Sequence, residues 1–314
     1  MHKTISGASG NNNCSINRDS NDSSCFTLDE LHQIAKYYNE SHPNDNNKIK
    51  LHTNKKKMVE ELEHKLKEFC SDQICWTTLK FVKNDDLKYA FKPNGPAGQY
   101  DWLSTTEIND CMERFMKIYP NFLFVGAVPI DIEDLNQFGV NTLNYDKLKK
   151  IGKTQIGIIY NLDEHYKSGS HWVAFFIDTL NRKIYYSDSS GKPPEKRVKR
   201  LVKKLAESWY QSDMQKMNIN KKKISLPIDS YMNPSGPNVL EQKYDIRFNT
   251  LQHQFGGSEC GVYSINFIIR TLRGDDFDTI HNIRIPDKEI NICRKEYFNG
   301  YNNLIKNDDN KHIC

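Results

Sequence analysis

The chain has 314 residues, 37% hydrophobic and 27% charged, with a formal net charge of +4. That length holds one large domain with an accessory piece or two modest domains, and so small a charge does not by itself point to nucleic acid. No run approaches the roughly 20 apolar residues of a membrane span, and the eight cysteines follow no spacing framework. The expectation is a soluble, intracellular, reduced protein with free thiols rather than disulfides, and with no cofactor, metal or membrane partner.

Residues 1–25 are rich in Ser and Asn and poor in apolar side chains, which reads as a disordered tail without a secretory signal. Thr27 followed three residues later by Glu30 is a capping box, and Leu28, Leu31, Ile34, Ala35 and Tyr38 then recur at helical spacing. After a polar turn at Pro43 a second helix is expected, with Met58, Leu62, Leu66 and Phe69 on its inner face. Residues 26–75 thus read as a helical hairpin extension. It loosely resembles SAP-type hairpins, a resemblance that implies phosphate contacts from Lys48, Lys50 and Lys55 to Lys57. The plainer expectation is a docking or regulatory element with solvated lysines. His64, Cys70 and Cys75 fit no common zinc spacing and read as structural thiols.

Residues 76–300 read as one α+β domain, followed by a polar C-terminal tail over 301–314. Ser104 or Thr105 caps a helix reaching about Tyr119, and Phe122 to Val128 is a strand ended by Pro129. Gln155–Tyr160, Trp172–Ile177 and Lys183–Ser187 are short apolar runs of strand length, the last two joined as a hairpin through Leu180, Asn181 and Arg182. Pro193 and Pro194 precede a basic amphipathic helix. Val198, Leu201, Val202, Leu205 and Trp209 face inward on it, and Lys196, Lys199, Arg200, Lys203 and Lys204 outward. Segments 216–223 and 227–237 read as surface loop, 244–254 contains a further strand, and 261–272 is a buried helix.

Within this frame four residues take complementary places. Cys260 follows Gly256 and Gly257 and opens the apolar helix, so a thiol stands at a helix N-terminus, where partial positive charge favours a thiolate. His171 opens one strand of the hairpin and Asp188 closes the other. Antiparallel pairing brings those ends together, so the carboxylate can accept the ring N–H of a general base. Gln254 lies six residues before the cysteine and can join the Cys260 backbone N–H as an oxyanion donor. Gly261 is expected to keep a path open for a substrate backbone.

The runs "SHWVAFFID", "IYYSDSSG" and "QFGGSECGVYSINFI" resemble those of the ubiquitin-like-protein (SUMO) protease superfamily, the adenain-like clan of cysteine peptidases. The His-to-Asp spacing of 17 and the Gln-to-Cys spacing of six are those of many members, and "DWLSTTEIND" resembles the Trp-Leu motif that begins the domain. The resemblance covers roughly 95–298. It implies the adenain-like fold, a central and mostly antiparallel sheet flanked by helices. It also implies a His171–Asp188–Cys260 triad with Gln254 as oxyanion donor. Trp102 and Trp172 would sandwich the substrate's glycines, and hydrolysis would follow a Gly-Gly type sequence.

In style the chain is most similar to the core polyprotein processing proteases of large cytoplasmic DNA viruses, the African swine fever virus type, although that type carries Asn at the place of Asp188. This similarity implies virion maturation as the role, structural polyproteins as the protein substrate, and the host cytoplasm, its viral factories and the virion as the location. Three other readings stay open from the sequence. They are a SUMO or ubiquitin-like modifier deconjugase, an acetyl transferase as in a bacterial branch of the clan, and a non-enzymatic DNA-binding or virion structural protein built on the hairpin.

Overall fold

The structure is a computed structural model and describes residues 13–18, 22–98, 100–135, 143–216, 245–301 and 313–314. The loop expected over 216–223 and 227–237 therefore lies almost wholly outside the described residues. The chain divides into two compact units, Met1–Asn94 with Lys295–Asn303, and Gly95–Arg294 with Leu304–Cys314.

The first unit contains helices α1 (Leu28–Ser41), α2 (Lys55–Leu66) and α3 (Gln73–Trp76) and a 3₁₀ turn over Asp85–Ala90. The capping box at the start of α1 forms in both directions between Thr27 and Glu30. The core of the unit joins Phe26, Leu31 and Ile34 to Met58, Leu62 and Leu66, and also to Trp76, Leu87, Ala90 and Phe91. Residues 76–94 thus belong with the hairpin, and the division at 94/95 replaces the expected one at 75/76. The apolar run before Pro93 closes the hairpin's open face instead of starting the next unit.

Three further expectations are corrected in this unit. The part of the tail that is described is packed: Cys14 pairs with Cys25 in a disulfide, Lys92 N–H donates to Asn13 O at 2.8 Å, and Arg18 forks onto the Glu30 carboxylate. Phe69 is 48% exposed, because α2 ends at Leu66 and leaves Phe69 on the following turn. Lys48 donates to the carbonyls of Asn39 and His42, and Lys55 binds Asp22 and the Ser24 carbonyl. Two of the lysines assigned to phosphate are therefore engaged within the fold.

The second unit is built on a five-stranded sheet in the order β1 (Phe122–Pro129), β2 (Gln155–Asn161), β3 (Trp172–Asp178), β4 (Lys183–Ser187) and β5 (Asp245–Phe248). β1 and β2 pair in parallel, as do β4 and β5, while β2–β3 and β3–β4 are antiparallel. The class is α+β, but the sheet is evenly mixed instead of mostly antiparallel. Each outer connection contains a helix, α5 (Tyr145–Lys150) after β1 and α6 (Lys196–Lys216) after β4, which allows the following strand to run in the same direction.

Alternation along the strands separates two faces. Ile156, Ile158, Val173, Phe175 and Ile177 pack with Val198, Leu201, Val202, Leu205 and Trp209 of α6. On the other face lie α4 (Thr105–Ile118) and α7 (Cys260–Arg273). Gly157 permits the close approach of α7, since a Cβ there would lie 2.9 Å from the Phe122 ring and 3.3 Å from Ile268. α7 is buried nearly all round and ends at Gly274, whose φ of 103° a side chain would disfavour. Two short helices follow, α8 (Phe277–His281) and α9 (Asp287–Ile292).

The expectation of free thiols does not hold for six of the eight cysteines. Cys14–Cys25, Cys70–Cys75 and Cys293–Cys314 are disulfides, and Cys111 and Cys260 are free and buried. Cys70 and Cys75 are thus neither simple thiols nor zinc ligands. Cys314 is buried against Cys293, and Asn266 of α7 donates to Ile313 O at 2.6 Å, so the end of the expected polar tail is fastened to the second unit. The pairs were not legible because tertiary packing, not regular spacing, brings them together.

Candidate active site

The β3–β4 hairpin sets two of the residues singled out above. Its register pairs Ala174 with Ser187, so Asp188 stands opposite Val173 and diagonal to His171. Diagonal neighbours across an antiparallel pair are within reach of longer side chains, and His171 Nε2 lies 2.7 Å from Asp188 Oδ1. Asp188 is fully buried. Its Oδ1 also accepts from the backbone N–H and the hydroxyl of Ser190, at 2.8 and 2.7 Å. Burial works against the charge of Asp188, but the bonds to His171 and Ser190 prevail and hold the carboxyl below its usual range.

The backbone of Asp188 is clamped as well. Asn249, directly after β5 and 2% exposed, accepts from Asp188 N–H at 2.8 Å and donates to Asp188 O at 2.7 Å. The turn after Asp188 docks on the 250–254 segment. Gly191 has φ 70°, and a Cβ there would lie 2.7 Å from Thr250 O, so only glycine fits.

Cys260 is the first residue of α7 and is buried. His171 Nε2 is engaged by Asp188, and Cys260 lies close enough to the ring to act on its charge. Burial of His171 disfavours its charge, but the bond to Asp188 and the nearness of Cys260 outweigh this and raise the imidazole from 6.5 to about 9. The sulfur therefore meets a charged ring and the positive end of a helix dipole together.

Gln254 is buried. Its Oε1 accepts from Ser189 Oγ at 2.6 Å and its Nε2 donates to Gly256 O at 3.0 Å, within the loop that leads to Cys260. Ser189 O also accepts the backbone N–H groups of His253 and Gln254. An amide has two N–H donors, so Gln254 retains one beyond its bond to Gly256.

Trp172 is buried and its Nε1 donates to Leu103 O at 2.9 Å, while Trp102 is 46% exposed. Both line a cleft of about 570 Å³, together with Leu103, Asn161, His165 and Gly169. Gly261 does not open a path. It is buried, and a Cβ there would lie 3.0 Å from Leu103 Cβ, so its small size serves the close packing of α7 on the segment after Trp102.

Sequence reading missed the polar groups behind these residues: Asn249, Ser189 and Ser190, and two histidines. His253 is buried, accepts from Ile285 N–H at 3.1 Å through Nδ1, and is lowered to about 4 by burial first and then by Arg284 and Arg270. His281 is bonded to Ser187 Oγ at 2.8 Å and lowered to about 3, chiefly by burial. The run Ser187 to Gly191 was the visible signal, since short hydroxyl side chains after a strand commonly tie backbone turns. Among the described residues no group of His, Cys, Asp or Glu is placed to hold a metal ion, and no helix is long and apolar enough to cross a membrane.

Comparison with known proteins gives concordant matches. The C-terminal catalytic domain of the Ulp1 protease family matches residues 104–307. A protein of Acanthamoeba polyphaga mimivirus, whose name records an inferred thiol protease activity, is 34% identical over 308 residues, 92% of this chain and 93% of its own length. A protein of African swine fever virus (isolate Pig/Kenya/KEN-50/1950) named as a SUMO-1 cysteine protease is 22% identical over 268 residues, 77% of this chain and 88% of its own. A crystal structure of the African swine fever virus protease superposes with a TM-score of 0.56 at 18% identity. It covers 93% of this chain and 97% of that one, a likeness of fold.

Proposed function

The chain belongs to the Ulp1 protease family, whose members include viral thiol proteases, and on that premise we propose that it is a cysteine endopeptidase cleaving after Gly-Gly type sequences with His171, Asp188 and Cys260 as its triad. The observation that carries this reading is the 2.7 Å bond from His171 Nε2 to Asp188 Oδ1, with Cys260 at a helix N-terminus and near enough to the same ring to favour its charge. In the proposed reaction the Cys260 thiolate attacks the scissile carbonyl and an S–C bond forms. Gln254 Nε2–H and the Cys260 backbone N–H stabilise the oxyanion. His171, held charged by Asp188, gives its proton to the leaving amine as the C–N bond breaks. Water then attacks the acyl-enzyme, His171 takes a proton from it, and the carboxylate product leaves with Cys260 restored.

Glycine at the cleavage site is supported by a cleft that Trp102 and Trp172 both line, since residues without Cβ atoms pass most readily along bulky indoles. By likeness to the viral relatives we assign the substrates to viral structural polyproteins cut during virion maturation, in the host cytoplasm and the virion. A second reading, removal of a SUMO-type modifier, is favoured by the name that the African swine fever virus relative bears. Fluorogenic substrates ending in SUMO or ubiquitin, run beside Gly-Gly-X peptides from candidate precursors, separate the two. Turnover of intact modifier at rates far above the peptides supports deconjugation, and equal or faster peptide cleavage supports processing. Failure to cleave any Gly-Gly substrate contradicts both.

A further inference from the structure

The proposed oxyanion donors, Gln254 and the Cys260 N–H, stand at the two ends of a loop that lacks regular structure, with Phe255, Gly256 and Gly257 all exposed. Such a loop keeps two donors at a fixed separation only if something outside it holds it. The holding groups lie on one helical face. Asp287, Asn291 and Arg294 are spaced four and then three residues apart at α9 and its end, the spacing of side chains that share a face.

All three reach the loop directly or through one neighbour. Asp287 Oδ2 accepts two successive backbone N–H groups, from Phe255 at 2.9 Å and Gly256 at 2.8 Å. The hydroxyl of Tyr263 lies 3.1 Å from its other oxygen and 2.7 Å from Ile285 O, one proton shared between the two acceptors, and Tyr263 lies one helical turn beyond Cys260 on α7. One carboxylate therefore spans the loop that carries Gln254 and the helix that carries Cys260. Asn291 Nδ2 donates to the buried Glu259 carboxylate at 3.1 Å, and Glu259 Oε2 accepts from Ser258 N–H at 3.0 Å. Arg294, fully buried, donates to Asn291 Oδ1 at 2.8 Å and to Ser258 O at 3.3 Å. Gly256 lies against Glu259, where a Cβ would be 2.6 Å from Oε2, so the loop is held from below as well as from the side.

We propose that Asp287 is a positioning residue for the oxyanion donors, with Asn291 and Arg294 as its supports: it sets the separation between Gln254 and the Cys260 N–H and takes no part in generating the thiolate. This rests on the reading of Cys260 as nucleophile. It predicts a selective defect. Steps that build negative charge on a carbonyl oxygen suffer when Asp287 is lost, and displacement at a saturated carbon does not.

Two reactions of Cys260 separate these effects without any Gly-Gly recognition. With p-nitrophenyl acetate the S–C bond forms as p-nitrophenolate leaves, through an oxyanion. With iodoacetamide the S–C bond forms as iodide leaves, with no oxyanion. Complete loss of one oxyanion donor costs about 10²–10³ in rate, so displacing the loop in Asp287→Ala is expected to slow acylation about tenfold or more while alkylation stays within about twofold. Asp287→Asn keeps an acceptor oxygen for the two N–H groups and is expected to restore acylation to within about threefold of the parent.

Tyr263→Phe, which takes the hydroxyl from the other carboxylate oxygen and from Ile285 O while keeping the ring, is expected to show the same selectivity at about threefold, and carries the test if Asp287→Ala fails to fold. Equal slowing of acylation and alkylation, or no slowing of acylation in either variant, overturns the proposal. Absence of any adduct on Cys260 of the parent protein overturns the nucleophile reading itself, and the positioning role with it.

Discussion

Replacing Asp188 by Asn separates what the carboxylate does for the charge of His171 from what it does for the orientation of the ring. Asn keeps an acceptor for Nε2–H and a similar shape, but it removes a charge that is fully buried and 2.7 Å from the imidazole. His171 is raised from 6.5 to about 9 in spite of burial, which acts the other way. A hydrogen bond to a charged partner contributes about 1.5–3 kcal/mol net, equivalent to about one to two pKa units. Without the charge, the imidazolium is therefore expected to titrate between about 7 and 8. Amide hydrolysis needs the protonated ring to release the amine, so the alkaline limb of kcat/KM should move down with it. With a limb at about 7.5, the variant's extra loss at pH 8.5 relative to pH 6 is about eightfold. The assay is kcat/KM for a fluorogenic Gly-Gly peptide between about pH 6 and about pH 10. Parallel profiles, with the limb of the variant unmoved near pH 9, would refute the assignment of the His171 charge to Asp188.

Other outcomes follow from the same structure. Without reductant, iodoacetamide should label one thiol in the native protein, Cys260, and two after denaturation: both free cysteines are buried, but Cys260 stands at a helix N-terminus beside His171 while the Cys111 thiol is pushed up, and the other six cysteines are paired. Label counting by intact mass checks this, and eight thiols reactive on denaturation alone contradict the pairing. Gly191→Ala should lower stability by at least about 2 kcal/mol, because the left-handed backbone and the Thr250 carbonyl both oppose a Cβ; urea unfolding measures it. His253 and His281 stay neutral in the folded state to about pH 4 and about pH 3 but charge near 6.5 when unfolded. Their contribution is thus present above 6.5 and lost as pH falls. Between pH 7.5 and pH 5 this removes about 4 kcal/mol, and His171, with its raised pKa, returns about 1, for a net loss of about 3 kcal/mol. Unchanged urea stability across that interval would be the contrary result.

How much of the site was legible depended on whether local spacing determined it. His171 and Asp188 could be read because a hairpin with a tight turn converts a sequence separation of 17 into a diagonal contact. Cys260 could be read because an apolar helix begins at it, and Thr27 because a capping box is complete within four residues. Asn249 and Asp287 could not. Each is a short polar side chain that finds its partners only after β5 and α9 have packed beside the hairpin and the 254–260 loop. Gly261 was misread for a related reason: a glycine after a nucleophile suggests room for substrate, and only packing shows that Leu103 fills the place. The division at 94/95 was hidden because 76–94 contains too few periodic apolar residues to show which core they join. The parallel pairing of β5 depends on how the chain returns after α6, and strand composition does not record it.

The central claim is that Cys260 is the nucleophile of a protease that cuts after glycine. The most direct test is mass spectrometry of the products when candidate precursors carrying Gly-Gly sites are incubated with the protein and with Cys260→Ala. The account predicts fragments ending at the second glycine with the parent protein and none with the variant, whose fold should be intact by circular dichroism. The same fragments from Cys260→Ala would contradict it.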